Sequence, residues 1–283
     1  MPAPQTLKQE IIGLYDRAAP IYDQVGTQQF KYFGRMLIER LAIPAGGQVL
    51  DIACGRGALL LPAAEKVGAS GHVIGIDLAP TMVEETGAEI ERRGLQQAEV
   101  RLADADEIAF KEGAFDTITC GFALHFLDYE RLLPRLLHYL KPGGCFAAIA
   151  PYTPVHDEEN LARWKWLFEL TKAAFPPDFV PPPAWIAPRK FGTPELAEAA
   201  FKQAGFTDVR IEAHEATLYF KDEADWWNWE WSQGSRFWVE GMSAEARERF
   251  HRESYKHLRH IQTAQGIPML NGALFVFGYK NGE

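Results

Sequence analysis

The residues of this chain that are best suited to chemistry are two aspartates and the small residues that follow the first of them. The apolar run at 49–52 contains Asp51 and leads into a short turn with two glycines, Gly55 and Gly57. A helix-like segment begins directly after the turn, at position 58. A buried strand that leads into a glycine turn below a helix N-terminus lets the backbone approach a nucleotide-like ligand. The turn therefore predicts a binding site for such a molecule.

Two positions indicate which ligand suits this turn. A dinucleotide-binding turn has a third glycine at the position that Leu60 occupies here. The carboxylate of Asp51 would repel a pyrophosphate, but it suits a ligand that carries a cationic amine. The turn therefore favours S-adenosylmethionine, and it disfavours a nicotinamide oxidoreductase, which stays as one alternative.

The second aspartate, Asp77, lies in the apolar run 73–78, 26 positions after Asp51. A carboxylate at the tip of the second strand of a βαβ unit can accept hydrogen bonds from both hydroxyls of a ribose. A helix cap is the alternative role for Asp77, and an ordinary strand–helix turn is the alternative for the glycines. The order and spacing of the two features together favour ligand binding.

Alternating strand-like and helix-like segments position these residues. Strands are predicted at 48–52, 72–77, 98–102, 115–120 and 144–150, with helices at 58–67, 80–93 and 129–140, and a helical pattern also covers 5–42. This alternation predicts a parallel, doubly wound sheet with its ligand at the carboxyl ends of the strands. Asp51, Asp77 and Asp104 all fall at such ends.

The pattern changes after Pro151. Many prolines in 151–190, including those at 176–177 and 181–183, predict that no long regular element forms there. A helix at 194–204 and a strand at 207–220 follow. Residues 222–264 have helical periodicity, and a last strand is predicted at 272–279.

Five motifs occur in an order that resembles the class I S-adenosylmethionine-dependent methyltransferases. They lie at 51–57, 77–78, 103–105, 115–126 and 141–144. The likeness is to the small-molecule branch, which includes ubiquinone and menaquinone C-methyltransferases and natural-product enzymes. It covers about residues 10–150, 193–220 and 270–280. Ala53 is a departure, because the family has its first glycine at this position.

The resemblance implies an α/β fold with a doubly wound, mostly parallel seven-stranded sheet. An N-terminal helical lid and helical insertions that form a cap would complete this Rossmann-like methyltransferase fold. We expect N-terminal helices and the cofactor-binding core at 1–150, a cap segment at 151–192 and a continuation of the core at 193–220. A helical cap insertion would span 221–268, and the last core strand 269–283.

The resemblance also implies roles for individual residues. Tyr22 would reach the cofactor's carboxylate, or alternatively cover the core. Asp104 would bind the adenine amino group beside the N–H of Ala105, or cap a loop, and Met82 would pack on the adenine or in the core. The expected cofactor-binding residues are Tyr22, Asp51, Ala53, Cys54, Gly55, Gly57, Asp77, Leu78, Met82, Asp104, Ala105 and Phe122.

His125 is the candidate base. It follows the fourth strand, where methyl donor and acceptor would meet, and a neutral imidazole can take a proton from a phenol or an acidic carbon. A positioning or capping role is the alternative. The sequence at 120–123 is CGFA and lacks the Asp/Asn-Pro-Pro-aromatic motif of nucleobase-amine methyltransferases.

Composition excludes several classes of partner. The net charge is −9 and there is no long basic run, which argues against nucleic acid. No apolar run approaches 18 residues, so we expect a cytoplasmic protein with no membrane partner. The three cysteines lack metal-ligand spacing, and the acids at 157–159 are typical of a helix start rather than a metal site.

All eight tryptophans lie between positions 164 and 238, outside the cofactor half: Trp164, Trp166, Trp185, Trp226, Trp227, Trp229, Trp231 and Trp238. They predict an apolar pocket for a hydrophobic or aromatic small molecule; the alternatives are that they only pack the cap or that they form a surface interaction patch. Because the sulfonium makes its methyl group electrophilic, the protein need only align the reactants and exclude water for C- or O-methylation by an SN2 reaction. A non-methylating cofactor-binding protein, or a lyase- or cyclase-like relative, is the alternative function.

Overall fold

The computed structural model describes residues 4–152, 158–181 and 191–282. The strands are β1 Gln48–Ile52, β2 His72–Asp77, β3 Ala98–Leu102, β4 Phe115–Gly121, β5 Leu140–Tyr152, β6 Thr207–Phe220 and β7 Ile267–Tyr279. The described helices are α1 Pro4–Ala18, α2 Gln29–Arg40, α3 Leu60–Val67, α4 Pro80–Arg93, α5 Tyr129–Tyr139, α6 Glu158–Ala173, α7 Pro194–Gln203, α8 Glu223–Trp231, α9 Arg236–Gly241 and α10 Ala244–Ile261.

The strands form one seven-stranded sheet in the order β3-β2-β1-β4-β5-β7-β6. Strands β1 to β5 pair in parallel, and Leu50 of β1 lies between Ile74 of β2 and Ile118 of β4. Lys280, just beyond β7, exchanges backbone hydrogen bonds with Gly143 and Gly144 near the start of β5, so β7 runs antiparallel to β5. The predicted doubly wound, mostly parallel sheet is confirmed.

The chain divides into two compact units. The first consists of Met1–Gln29, Thr153–Ala187 and Glu215–Gly272, and the second of Phe30–Tyr152, Pro188–His214 and Ala273–Glu283. The N-terminal helix α1 is thus grouped with residues 153–187 and 215–272. Its Arg17 forms an ion pair with Glu240 of α9, within the first unit.

The core of the second unit forms because the parallel strands are buried and therefore apolar. Leu50, Ile52, Ile76 and Ile118 are almost fully buried, and Phe146 stacks on Phe201 of α7 with ring centroids 5.3 Å apart. These apolar strands hold the polar residues at their carboxyl ends in fixed positions.

The first unit has an aromatic core of its own. Its buried members are Phe220, Trp226, Trp229, Met242, Ala246, Phe250, Leu258 and Ile267. Trp164, Trp166 and Trp227 pack against this cluster. Trp185 lies outside the described residues.

Helix α6 contradicts the prediction that 151–190 holds no long regular element. The stretch 158–173 contains no proline, and Glu158 and Glu159 in its first turn favour a helix N-terminus. The prolines of 151–190 lie before and after the helix, at 151 and 154 and from 176 onward, so counting them over the whole region was misleading. Of the acids at 157–159, Asp157 lies outside the described residues.

Candidate functional site

The turn between β1 and α3 has an unusual backbone. Ala53, Gly55 and Gly57 all have positive φ, at 52°, 48° and 77°. The N–H of Cys54 donates to the carbonyl of Ile76 in β2 at 2.9 Å, and the N–H of Gly57 donates to Cys54 at 2.8 Å. A Cβ atom at Gly57 would lie 2.8 Å from the Leu61 side chain, so the turn leaves no room for a larger residue there. We call residues 53–57 the glycine loop.

Leu60 fills the space that a third glycine would have left open. A Cβ atom on Gly75 of β2 would lie 2.1 Å from Cδ1 of Leu60 and 2.9 Å from Sγ of Cys54. Leu60 is fully buried in that gap. The glycine that permits close packing of helix and sheet is therefore on β2 rather than on α3.

Asp51 lies buried directly below the glycine loop, and only 1% of it is exposed. Its Oδ1 accepts a hydrogen bond from the Thr119 hydroxyl of β4 at 2.8 Å. Among the described residues, its buried Oδ2 has no hydrogen-bond partner. Burial raises the pKa of Asp51 to about 7, the Thr119 hydroxyl and the Leu60 N–H act to lower it, and the charge of Asp77 adds to the rise.

Asp77 binds two backbone N–H groups at the tip of β2. Its Oδ2 accepts from Gly55 at 2.8 Å, and its Oδ1 accepts from Ala79, at the N-terminus of α4, at 3.0 Å. Each carboxylate oxygen has two lone pairs, so both can accept a further hydrogen bond. Asp77 therefore holds the turn that precedes α4, and its carboxylate at the tip of β2 suits a vicinal diol.

The remaining expected cofactor residues of the second unit follow β2 and β3. Leu78 is half-buried, and Met82 is buried on the inner face of α4. Oδ1 of Asp104 accepts from the N–H of Asp106 at 2.9 Å and forms a tight turn, in which Ala105 is buried. Leu78 and Asp104 follow the carboxyl ends of the neighbouring strands β2 and β3, on the same edge of the sheet as Asp51.

Phe122 and His125 follow β4. Phe122 has a positive φ of 54°, which is strained for an aromatic residue. Its N–H donates to Ile149 at 2.7 Å, and its ring packs edge-on against Phe30, with centroids 5.1 Å apart. His125 lies in a single helical turn, Leu124–Phe126, half-buried, with its ring 4.0 Å from that of Phe126.

Tyr22 belongs to the first compact unit, whereas the other expected cofactor residues belong to the second. Its ring packs edge-to-face on Tyr15, with centroids 5.9 Å apart.

Sequence reasoning missed three residues that fix this site. Thr119 binds Asp51, Thr86 donates to the carbonyl of Gly55 at 2.6 Å, and Glu85 forms a 3.2 Å ion pair with Arg56. A signal for Thr86 was present, because it shares the apolar face of α4 with Met82 and Ile90. A hydroxyl on such a face needs a hydrogen-bond partner.

The residues present fit S-adenosylmethionine. The unpartnered buried oxygen of Asp51 suits a cationic group, and the carboxylate of Asp77 lies beside the glycine loop, where it suits hydroxyl donors. In the described ranges, no group of three His, Cys, Asp or Glu side chains could hold a metal ion. None of the described helices is long and apolar enough to cross a membrane.

Comparison with known proteins agrees with a site for S-adenosylmethionine, because the matches are methyltransferases. Residues 49–144 match the model of a methyltransferase domain. Nocamycin O-methyltransferase of Saccharothrix syringae is 34% identical over 245 residues, which cover 83% of this chain and 85% of that protein. Aklanonic acid methyltransferase DauC of Streptomyces sp. strain C5 is 39% identical over 145 residues, or 51% of this chain and 66% of that protein.

Among solved structures, the YcgJ protein of Bacillus subtilis has a similar fold. Its TM-score is 0.55 at 20% identity, over 88% of this chain and 99% of that one.

Proposed function

The chain belongs to the S-adenosylmethionine-dependent methyltransferases, and from this premise we propose that it methylates an oxygen atom of an apolar small molecule. Methyl transfer to a small molecule is the activity of the relatives that it resembles over most of its length. Beyond the activity of these relatives, the proposal specifies which atom is methylated, the hydrophobic character of the acceptor and the residues that bind each substrate.

We assign cofactor binding to the residues around the glycine loop. When bound, S-adenosylmethionine supplies a methyl group that its sulfonium makes electrophilic. Asp77 would accept hydrogen bonds from the ribose hydroxyls, and Asp104 with Ala105 would hold the adenine edge. Asp51 would offset the positive charge of the bound cofactor. Its Oδ2 atom has no hydrogen-bond partner in the described part of the chain, so it is available for this role.

The proposal of an oxygen acceptor is supported by the names of two relatives. One is an O-methyltransferase that aligns with most of this chain, and the other is named for an acid, aklanonic acid. His125 would take the proton from an acceptor hydroxyl, because a neutral imidazole is a suitable base near pH 7.

The proposal of an apolar acceptor with carbonyl or hydroxyl oxygens is supported by the first unit. The indole N–H groups of Trp164, Trp166 and Trp226 are buried, and the described residues offer them no acceptor. Buried donors usually have partners, so oxygens on an otherwise apolar ligand would suit these rings. The net charge of −9 favours such an acceptor over nucleic acid. Three free cysteines favour a cytoplasmic location.

The observation that carries the proposal is the glycine loop held between Asp51 and Asp77. The test incubates the purified protein with S-adenosylmethionine labelled with carbon-13 in the methyl group and with polycyclic phenols and acids. Each acceptor is paired with its already O-methylated form as a control. We expect label on oxygen, identified by the carbon-13 NMR shift.

Two results would contradict parts of this proposal. Label on carbon in both members of a pair would replace O- with C-methylation. Binding of S-adenosylmethionine without transfer to any acceptor would favour the non-methylating alternative.

A Trp166→Phe variant should raise the KM of the acceptor and leave cofactor affinity unchanged, with Trp238→Phe as the control.

A further inference from the structure

We propose that Thr86 is a positioning residue that holds the glycine loop in the conformation that binds the cofactor. This inference rests on the proposed function. Thr86 is 0% exposed, and its hydroxyl donates to the carbonyl of Gly55 at 2.6 Å. The two residues are 31 positions apart, so the bond ties α4 to the loop.

The peptide groups on both sides of Gly55 are fixed by this arrangement. The N–H of Gly55 donates to Asp77, and its carbonyl accepts from Thr86. Because glycine populates many backbone conformations about equally, a loop with φ of 48° at Gly55 and 77° at Gly57 needs outside contacts to stay in one of them. Thr86 supplies such a contact from a buried position.

The Thr86 methyl also faces the loop. A Cβ atom at Gly57 would lie 3.5 Å from Cγ2 of Thr86, so this methyl lies on the side of Gly57 where a side chain would be. The neighbouring Glu85 pairs with Arg56 at 3.2 Å. Two successive residues of α4 therefore hold two successive residues of the loop.

Removal of the hydroxyl would leave the carbonyl of Gly55 poorly satisfied. Another nearby donor is the thiol of Cys54, at 3.9 Å, and a thiol is a weak donor. The loop would then leave its binding conformation in part of the molecules, and the apparent affinity for the cofactor would fall by the fraction lost. Thr86 does not contact the reacting atoms, so the rate of methyl transfer between bound reactants should not change.

The experiment compares Thr86→Val, which keeps the shape and removes the donor, with Thr86→Ser, which keeps the donor. Calorimetry with S-adenosylhomocysteine measures cofactor-site affinity without any acceptor. We expect about a tenfold loss of affinity in Thr86→Val and recovery to within about threefold in Thr86→Ser. In turnover with an accepted substrate, KM for the cofactor should rise while kcat stays the same.

Thr207→Val is the matched control, because its hydroxyl also donates to a carbonyl, that of Tyr279 at 3.1 Å, on the opposite edge of the sheet. It should leave cofactor affinity unchanged. If Thr86→Val does not fold, Glu85→Gln tests the same contact between α4 and the loop and should weaken binding a few-fold. Wild-type affinity in Thr86→Val, or equal losses in Val and Ser variants, would overturn the inference. A wild-type protein that does not bind S-adenosylhomocysteine would instead refute the proposed function.

Discussion

Replacing Asp51 by asparagine should stabilise the protein at neutral and alkaline pH. The carboxyl group is buried, its Oδ2 atom has no partner among the residues described, and its pKa is raised to about 7 by burial. Asparagine has nearly the same shape and can accept the same hydrogen bond from Thr119, but it does not ionise. The variant therefore removes the cost of a buried charge and little else.

The size of the effect follows from the pKa of Asp51. It lies about three pH units above the ordinary value of 3.8, and each pH unit corresponds to about 1.4 kcal/mol, so ionisation destabilises the fold by about 4 kcal/mol. The sign follows from proton binding. Between pH 4 and 7 the folded state binds more protons than the unfolded state, so stability falls as the pH rises. The stability of Asp51→Asn relative to wild type should therefore increase over the same pH interval.

The assay is native-state hydrogen exchange in increasing urea, at pH 5 and at pH 8. Peptides from β1 and β4 report the free energy of opening of the second unit. Glu230 of the first unit also has a pKa raised to about 7 by burial, so the wild-type pH dependence does not identify the group that titrates. The difference in stability between Asp51→Asn and wild type identifies Asp51 as the group that titrates.

Asp116→Asn serves as the control with the opposite sign. Burial acts to raise the pKa of Asp116, but the N–H of Gln48 and the ammonium of Lys141 lower it overall. That variant should lose stability by about the same amount at pH 5 and at pH 8, because both lie above the ordinary pKa of 3.8, and the loss should shrink only below about pH 4. An advantage of Asp51→Asn that is equal at pH 5 and pH 8 would refute the reasoning. The stabilised Asp51→Asn variant should also bind S-adenosylmethionine more weakly than wild type.

Three further predictions concern the loop and the cap. Asp77→Ala should weaken cofactor binding by about 2–3 kcal/mol, because it removes charge-assisted hydrogen bonds; calorimetry with S-adenosylhomocysteine measures this, and unchanged affinity would exclude Asp77 from the site. Ala53→Gly should raise the melting temperature slightly, because it relieves a positive φ of 52°, whereas Gly57→Ala should lower it and reduce cofactor affinity; the reverse order would contradict the loop geometry. Ser254→Ala should stabilise the first unit by about 1 kcal/mol, because the buried hydroxyl has no partner within the described chain, whereas Ser243→Ala removes the N-cap of α10 and should cost about 1 kcal/mol in urea unfolding. Equal effects of the two serine variants would show that the hydroxyl of Ser254 is satisfied.

Local patterns were sufficient to predict the parallel half of the sheet. Strands β1, β2 and β3 and helix α4 have the predicted bounds, because buried parallel strands are continuous apolar runs that polar or glycine-containing turns separate. Asp51 and Asp77 could be placed for the same reason, since each marks the end of such a run.

Other elements depend on contacts that local patterns do not contain. Strand β5 begins at Leu140 instead of the predicted 144, because pairing beside Lys280 keeps a proline- and glycine-containing stretch extended. The predicted helical run at 222–264 is three helices, which breaks at 232–235 and 242–243 separate. The hydrogen bond between Thr119 and Asp51 joins residues 68 positions apart, beyond the reach of periodicity.

The segregation of the tryptophans has a consequence for spectroscopy. All seven described tryptophans lie in the first compact unit, which also carries the clusters in which the indole rings pack together. Intrinsic fluorescence excited in the indole band therefore follows that unit, while the sheet of the second contributes to far-ultraviolet circular dichroism. Tryptophan fluorescence thus serves as an intrinsic probe of the first unit. Melting curves recorded by the two methods on one unmodified sample can be compared directly to learn whether the units unfold together.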